Sequence, residues 1–173
     1  RSIGLGILGK INAVFYWGNT MFWATRFILS WAIWLVFADK KRWREILPVS
    51  VFAGFLGSTT DDIMHHYHLW IYDTLETNFF ADISDDWSVY LIVTYLFIQW
   101  LPEQQSFVNM FKYFLIWTTV SIFIEYIHVL TGHMSYLSWW TIYHSYAADW
   151  LLYWIFYKYY KVFQFKRLAN TYK

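Results

Sequence analysis

The chain has 173 residues, 58% of them hydrophobic, 25% aromatic and only 14% charged, where an ordinary soluble domain carries about a quarter charged residues. Cysteine is absent, which excludes disulfides and thiolate metal sites, and a net charge of +1 without a basic patch argues against a nucleic-acid partner. The charges gather in short blocks between long uncharged runs, which predicts an all-α polytopic membrane helix bundle whose main partner is the lipid bilayer. No internal repeat or low-complexity linker interrupts it, so residues 1–173 read as a single domain.

Residues 1–18 are apolar and glycine-rich, with Ile3, Ile7, Ile11 and Val14 on one helical face, and read either as an interfacial helix or as a frayed end. A first span is predicted over 19–38, with Arg26 as its only charge. It ends in a block containing Lys40, Lys41, Arg42 and Arg44, a density of basic residues that marks the cytoplasmic side. The second span is 46–66, with Pro48 tolerated in its first turn. The following loop holds Asp73, Glu76, Asp82, Asp85 and Asp86 without a lysine or arginine, and reads as a solvated acidic loop on the outer side.

The third span, 88–101, is short for a bilayer that takes about 20 residues, so it starts inside the acidic loop or runs tilted. A tight turn leads to the fourth span at 107–130, and Gly132 supplies a helix stop in the next outer turn. The fifth span, 138–160, leads to a tail with Lys158, Lys161, Lys166, Arg167 and Lys173. Both basic clusters agree with five spans, N-terminus out and C-terminus in.

That topology places all six histidines, His65, His66, His68, His128, His133 and His144, in the outer half. Asp61, Glu125 and His144 fall at one depth, about 9 Å inside their predicted helix ends, with Arg26 at a similar level and Asp149 deeper. Small and polar residues recur on single faces: Ser50, Gly54, Ser58, Asp62 and His65 on the second span, Thr118, Ser121, Glu125 and His128 on the fourth, and Thr141, His144 or Ser145, Ala148 and Asp149 on the fifth. Such faces turn toward other helices rather than lipid. An outward-opening pocket follows, with Arg26 as counter-charge and Asp149 toward its floor.

Several chemistries fit those residues. Glu125 and His128 form the Glu-x-x-His pair used by di-iron bundles, and Asp61 and Asp62 stand one helical turn from His65. With His144 they give a candidate metal set of His65, His128, His144, Glu125 and Asp62, suited to Zn, Fe or Mn. The same carboxyls in an aromatic cavity (13 Trp, 15 Tyr and 16 Phe) give Glu125, Asp61 or Asp62 as general acid on a lipophilic ligand such as a lipid or isoprenoid, an architectural analogy with membrane terpene cyclases. An ion- or proton-coupled transporter is a further reading, although the fifth span carries no ionisable group between Asp149 and Lys158. A structural or complex-forming subunit, in a homo-oligomer or a mixed membrane complex, needs only that the polar residues lock helices together. No nucleophile elbow, phosphate loop, dinucleotide fingerprint or His-Glu-x-x-His is present.

The order of motifs is distinctive. Arg42-Trp43-Arg44-Glu45-Ile46-Leu47-Pro48 is followed by Tyr67-His68-Leu69-Trp70-Ile71-Tyr72, then Tyr95-Leu96-Phe97-Ile98-Gln99-Trp100-Leu101-Pro102, then Glu125-Tyr126 and Thr131-Gly132-His133-Met134. Over about residues 40 to 160 the chain resembles a family of small, uncharacterised multi-pass membrane proteins of spore-forming Gram-positive bacteria. The resemblance implies the topology and a bacterial plasma membrane, and brings no activity with it. The orientation has a direct check in this cysteine-free chain: Lys41→Cys should react with a membrane-impermeant maleimide only after cells are permeabilised, and His133→Cys in intact cells.

Overall fold

The computed structural model describes residues 21–72, 83–165 and 167. The segment 1–18, the acidic residues Asp73, Glu76 and Asp82, and the tail residues Lys166 and Lys173 lie outside them. The described chain is mostly helical: α1 (Met21–Phe37), a 3-10 turn (Lys40–Arg42), α2 (Trp43–His66), β1 (Trp70–Tyr72), a π-helical segment (Asp85–Tyr90) leading into α3 (Leu91–Gln99), α4 (Phe107–Leu130), β2 (Met134–Tyr136) and α5 (Ile142–Phe163). The five helices follow the five predicted runs, and α4 has the predicted bounds. β1 and β2 form an antiparallel ribbon, Trp70 opposite Tyr136 and Tyr72 opposite Met134, which the sequence reading did not foresee.

Among the described residues one helix by itself, Phe107–Leu130, is long and apolar enough to cross a membrane; α1 with the run Lys40–His66 passes that test only as a pair, bent by 95°. The apolar window of α4 is only 17% buried. Its outward face carries Phe107, Val108, Phe111, Leu115, Ile116, Val120, Phe123 and Leu130, all exposed.

The centre of the bundle is α3. It is apolar all round, and Leu91, Ile92, Thr94, Tyr95, Leu96, Phe97 and Ile98 are all buried, as expected of a helix enclosed by others. Phe97 packs against Tyr113, Phe114 and Trp117 of α4 and Tyr153 of α5, and Trp34 of α1 meets Tyr95 edge-on. The end near the basic loop is tied by polar contacts. Arg42 donates to Glu45 at 2.8 and 3.1 Å and to the Gln99 carbonyl at 3.0 Å, and Tyr160 of α5 donates to Glu45. The Glu45 carboxylate holds the Arg42 guanidinium above its ordinary pKa, against the desolvation that lowers it. The contacts join α2, α3 and α5 at one level.

The opposite half depends on two glycines. The π-helical segment lies so close to α2 that a Cβ on Gly54 would stand 2.9 Å from the Asp86 carbonyl oxygen, and one on Gly57 2.8 Å from Asp86 Oδ1. Neither position has room for a side chain, which is why Asp85 and Asp86 are buried here rather than in solvent. The solvated acidic loop expected at these two residues is therefore corrected: the third helical run starts before them. Gly54→Ala should destabilise the protein by about 1–3 kcal/mol in a detergent thermal melt, while Val51→Ala, on the exposed face of the same helix, should change it by less than about 1 kcal/mol.

Candidate functional site

Between the aromatic core around α3 and the ribbon lies a cavity of about 90 Å³, enough for several water molecules. Every helix contributes to its wall: Arg26 from α1, Asp61 from α2, Asp85 and Tyr90 from the π-helical segment, Thr94 from α3, Ser121, Glu125 and His128 from α4, and Asp149 and Tyr153 from α5. Trp70, Tyr72 and Met134 of the ribbon close it at one end, and Val89, Val93, Ile124, Leu152 and Phe156 make the apolar part. Four carboxyls and one guanidinium thus line one small cavity.

The local geometry explains how they arrive there. Burial along α2 follows Ile46, Val49, Ser50, Ala53, Gly54, Gly57 and Asp61, so that Asp61 faces inward and Asp62, about 100° further round, is exposed. The wider π-helical turn delivers Asp85 and Tyr90 to the cavity, a local geometry often found at functional sites. Ser84 donates to the Trp23 carbonyl of α1 at 3.1 Å, and beside it Arg26 pairs with Asp85. The side chains of that pair are only 11% and 9% exposed, and Arg26 also lies 5.3 Å from the Trp23 ring centre.

The Tyr72 hydroxyl lies 3.1 Å from Asp61 Oδ2 and 3.0 Å from Asp85 Oδ2. A phenol has one proton to donate, so both contacts are full hydrogen bonds only when one of the two carboxyls carries a proton of its own. The Tyr72 phenol is pushed well above its ordinary range, first by burial and then by the charges of Asp61 and Asp85, with Arg26 opposing. Tyr136 of the ribbon donates to Glu125, and its phenol is also pushed up, by burial and by that hydrogen bond. Both ribbon tyrosines therefore serve as donors to carboxyls. On the far side, Ser121 and Tyr153 share a 2.6 Å hydrogen bond between α4 and α5.

Of the predicted residues, Arg26, Asp61, Glu125, His128 and Asp149 meet at the cavity. The Glu-x-x-His pair presents both side chains to it, and Arg26 is a counter-charge as expected, though to Asp85. Asp62 is exposed, and His144 is exposed in the first turn of α5, its Nδ1 2.9 Å from Thr141 Oγ1. His65 stands edge-on to Tyr72 outside the cavity lining. Among the described residues no three His, Asp or Glu side chains are placed to hold a metal ion, so the metal set of His65, His128, His144, Glu125 and Asp62 is not assembled. Asp85, Tyr72, Tyr90, Tyr136 and Tyr153 were missed. A tyrosine among fifteen carries no signal of its own, but Asp85 and Asp86 beside a span too short for the bilayer could have pointed to burial.

Comparison of the chain with known protein families, with curated proteins and with solved structures gave no match in any of the three. Function is therefore argued from the cavity itself. Arg26→Met, which leaves Asp85 charged in a buried setting, should cost about 3–5 kcal/mol of stability, and the double variant Arg26→Met with Asp85→Asn should recover most of it in the same thermal melt.

Proposed function

We propose that the chain is an integral membrane protein whose helices enclose a ligand-binding chamber in the outer half of the bilayer. One observation carries the reading: polarity is inverted. The exposed surface of α4 is apolar apart from Lys112, near its start, and Thr119, while Arg26, Asp61, Asp85, Glu125, His128 and Asp149 line a cavity between the helices. Water penalises that arrangement twice, by wetting large hydrophobic side chains and by desolvating ions, whereas hydrocarbon outside and polar groups inside favour it. In this reading α2, α4 and α5 are the full-length crossings, α1 and α3 are shorter and oblique, and the basic loop faces the cytoplasm. The resemblance noted above supports a bacterial plasma membrane.

The chamber suits a ligand with an apolar body and a polar group better than a coordinated metal, because its carboxyls lie apart and alternate with apolar side chains. Glu125 and Asp61 are placed to exchange protons with such a ligand, which makes acid–base chemistry on a lipophilic substrate available to the site. A purely structural role is favoured for one part of the wall, where Arg26, Asp85, Tyr72 and Asp61 are linked in one chain of contacts that joins α1, α2, the π-helical segment and the ribbon. Glu125 and Asp149 do not belong to that lock.

The readings separate in one experiment. Protein extracted from alkali-washed membranes and reconstituted in nanodiscs is expected to release a bound small molecule in native mass spectrometry. Glu125→Gln should abolish that signal while leaving the melting temperature within about 4 °C of the parent, equivalent to about 1 kcal/mol. A variant that unfolds instead, in a protein that carries no bound molecule, would leave the polar groups as a helix lock alone.

A further inference from the structure

We infer that the chamber takes an uncharged lipophile with a carbonyl group, its carbonyl oxygen toward Arg26 and Trp70 at the ribbon end and its hydrocarbon body toward Val93, Leu152 and Phe156. This rests on the chamber being a ligand site, and names the chemistry that its wall selects. The first constraint is charge. Among the described residues Arg26 is the one lysine or arginine on the wall, and the Asp85 carboxylate already balances it. A single proton completes the Asp61–Tyr72–Asp85 bridge. Glu125 and Asp149 have no ion-pair partner among the described residues, and carboxyls enclosed in that way keep their protons rather than stand as desolvated ions. The wall is then neutral as a whole: a cation meets no spare carboxylate, and an anion no spare guanidinium.

The second constraint is hydrogen bonding. Arg26 donates from Nη2 to Asp85, while its Nε and Nη1 are buried without a partner among the described residues. Trp70, 8% exposed, lines the same cavity, and its buried Nε1 is likewise without one. Buried polar groups are almost always satisfied, so donors left open beside a cavity imply a guest that accepts. A carbonyl oxygen has two lone pairs and brings no proton that would need an acceptor in turn. The third constraint is the change of polarity along the cavity. Val89 and Val93 follow Asp85 at about one and two turns, and Leu152 and Phe156 follow Asp149 in the same way, all on the wall and leading away from the ribbon. Ser121 and Tyr153 in that part bond each other. Water serves the donors at one end but finds few partners at the other, which hydrocarbon fills.

The test adds methyl pentyl ketone with an isotope-labelled carbonyl to the protein in nanodiscs of ether-linked phosphatidylglycerol, a lipid with no ester carbonyl of its own. The expected infrared spectrum shows a second, saturable carbonyl band at lower frequency than in empty discs, the mark of an oxygen that accepts hydrogen bonds. In competition, the isostere with C=CH2 in place of C=O should bind at least about tenfold more weakly, as should hexanoate and the amine of the same carbon skeleton. Trp70→Phe, and the double variant Arg26→Met with Asp85→Asn, should each weaken ketone binding about fivefold or more and diminish the shifted band; if the double variant does not fold, Trp70→Phe makes the comparison. Discs of ester-linked lipid separate two sources of the carbonyl: lost ketone uptake assigns the site to a lipid ester, and unchanged uptake to a free ketone. Equal binding of the C=CH2 isostere, or unchanged binding in the variants that fold, overturns the carbonyl but keeps the chamber, and equal binding of hexanoate or the amine overturns the uncharged guest. If the ketone does not bind while a bound molecule is still released in mass spectrometry, the carbonyl falls and the chamber stands; if neither is seen, the chamber reading falls with it.

Discussion

The ion pair of Arg26 with Asp85 joins α1 to the π-helical start of the third helical run. Neither charge can be left alone where it stands, since both side chains are nearly buried and an unpaired ion in such surroundings is costly. The rest of the cavity end of the molecule is arranged around that requirement. Gly54 and Gly57 let the segment bearing Asp85 approach α2, the Ser84 hydroxyl fixes it to the backbone of α1, and Tyr72 brings the ribbon onto the remaining Asp85 oxygen. A cavity with a polar wall is what remains once these constraints are met.

The two halves of the molecule are held differently. Around α3, stacked and edge-on aromatic rings fill the space, and the polar clamp of Arg42, Glu45 and Tyr160 closes the end. Around the cavity the contacts are fewer and mostly directional, as between Ser121 and Tyr153 or Tyr136 and Glu125. Close packing gives rigidity, whereas a wall of hydrogen bonds around open space can rearrange its protons and rotamers at little cost.

Much of this was legible in the sequence. The long uncharged runs located all five helices, and α4 to the residue, because hydropathy registers composition over many positions. The depth argument put Arg26, Asp61 and Glu125 at one level, with Asp149 deeper, and all four line the cavity, because helix rise is regular. It failed for His144 because α5 begins at Ile142 rather than at 138, which leaves that histidine in the first turn. It could not choose between Asp61 and Asp62, whose difference is one step of rotation about the axis. Asp85 and Asp86 were assigned to solvent because an acidic run resembles a loop; their burial depends on two glycines in another helix, a tertiary fact that local pattern does not carry. The ribbon strands, three residues each, are too short to stand out in a chain so rich in aromatic residues.

The ribbon has a consequence for the order in which the molecule is made. β1 leaves the ribosome with α2, but its partner β2 follows α4, so β1 has no strand to pair with until three further helical segments have been synthesised. Until then Tyr72 can reach Asp61 and Asp85, but Tyr136 is absent and Glu125 lacks its donor. The cavity therefore stays open on the ribbon side until β2 is made, and its wall is complete only when α5, which follows β2, adds Asp149 and Tyr153.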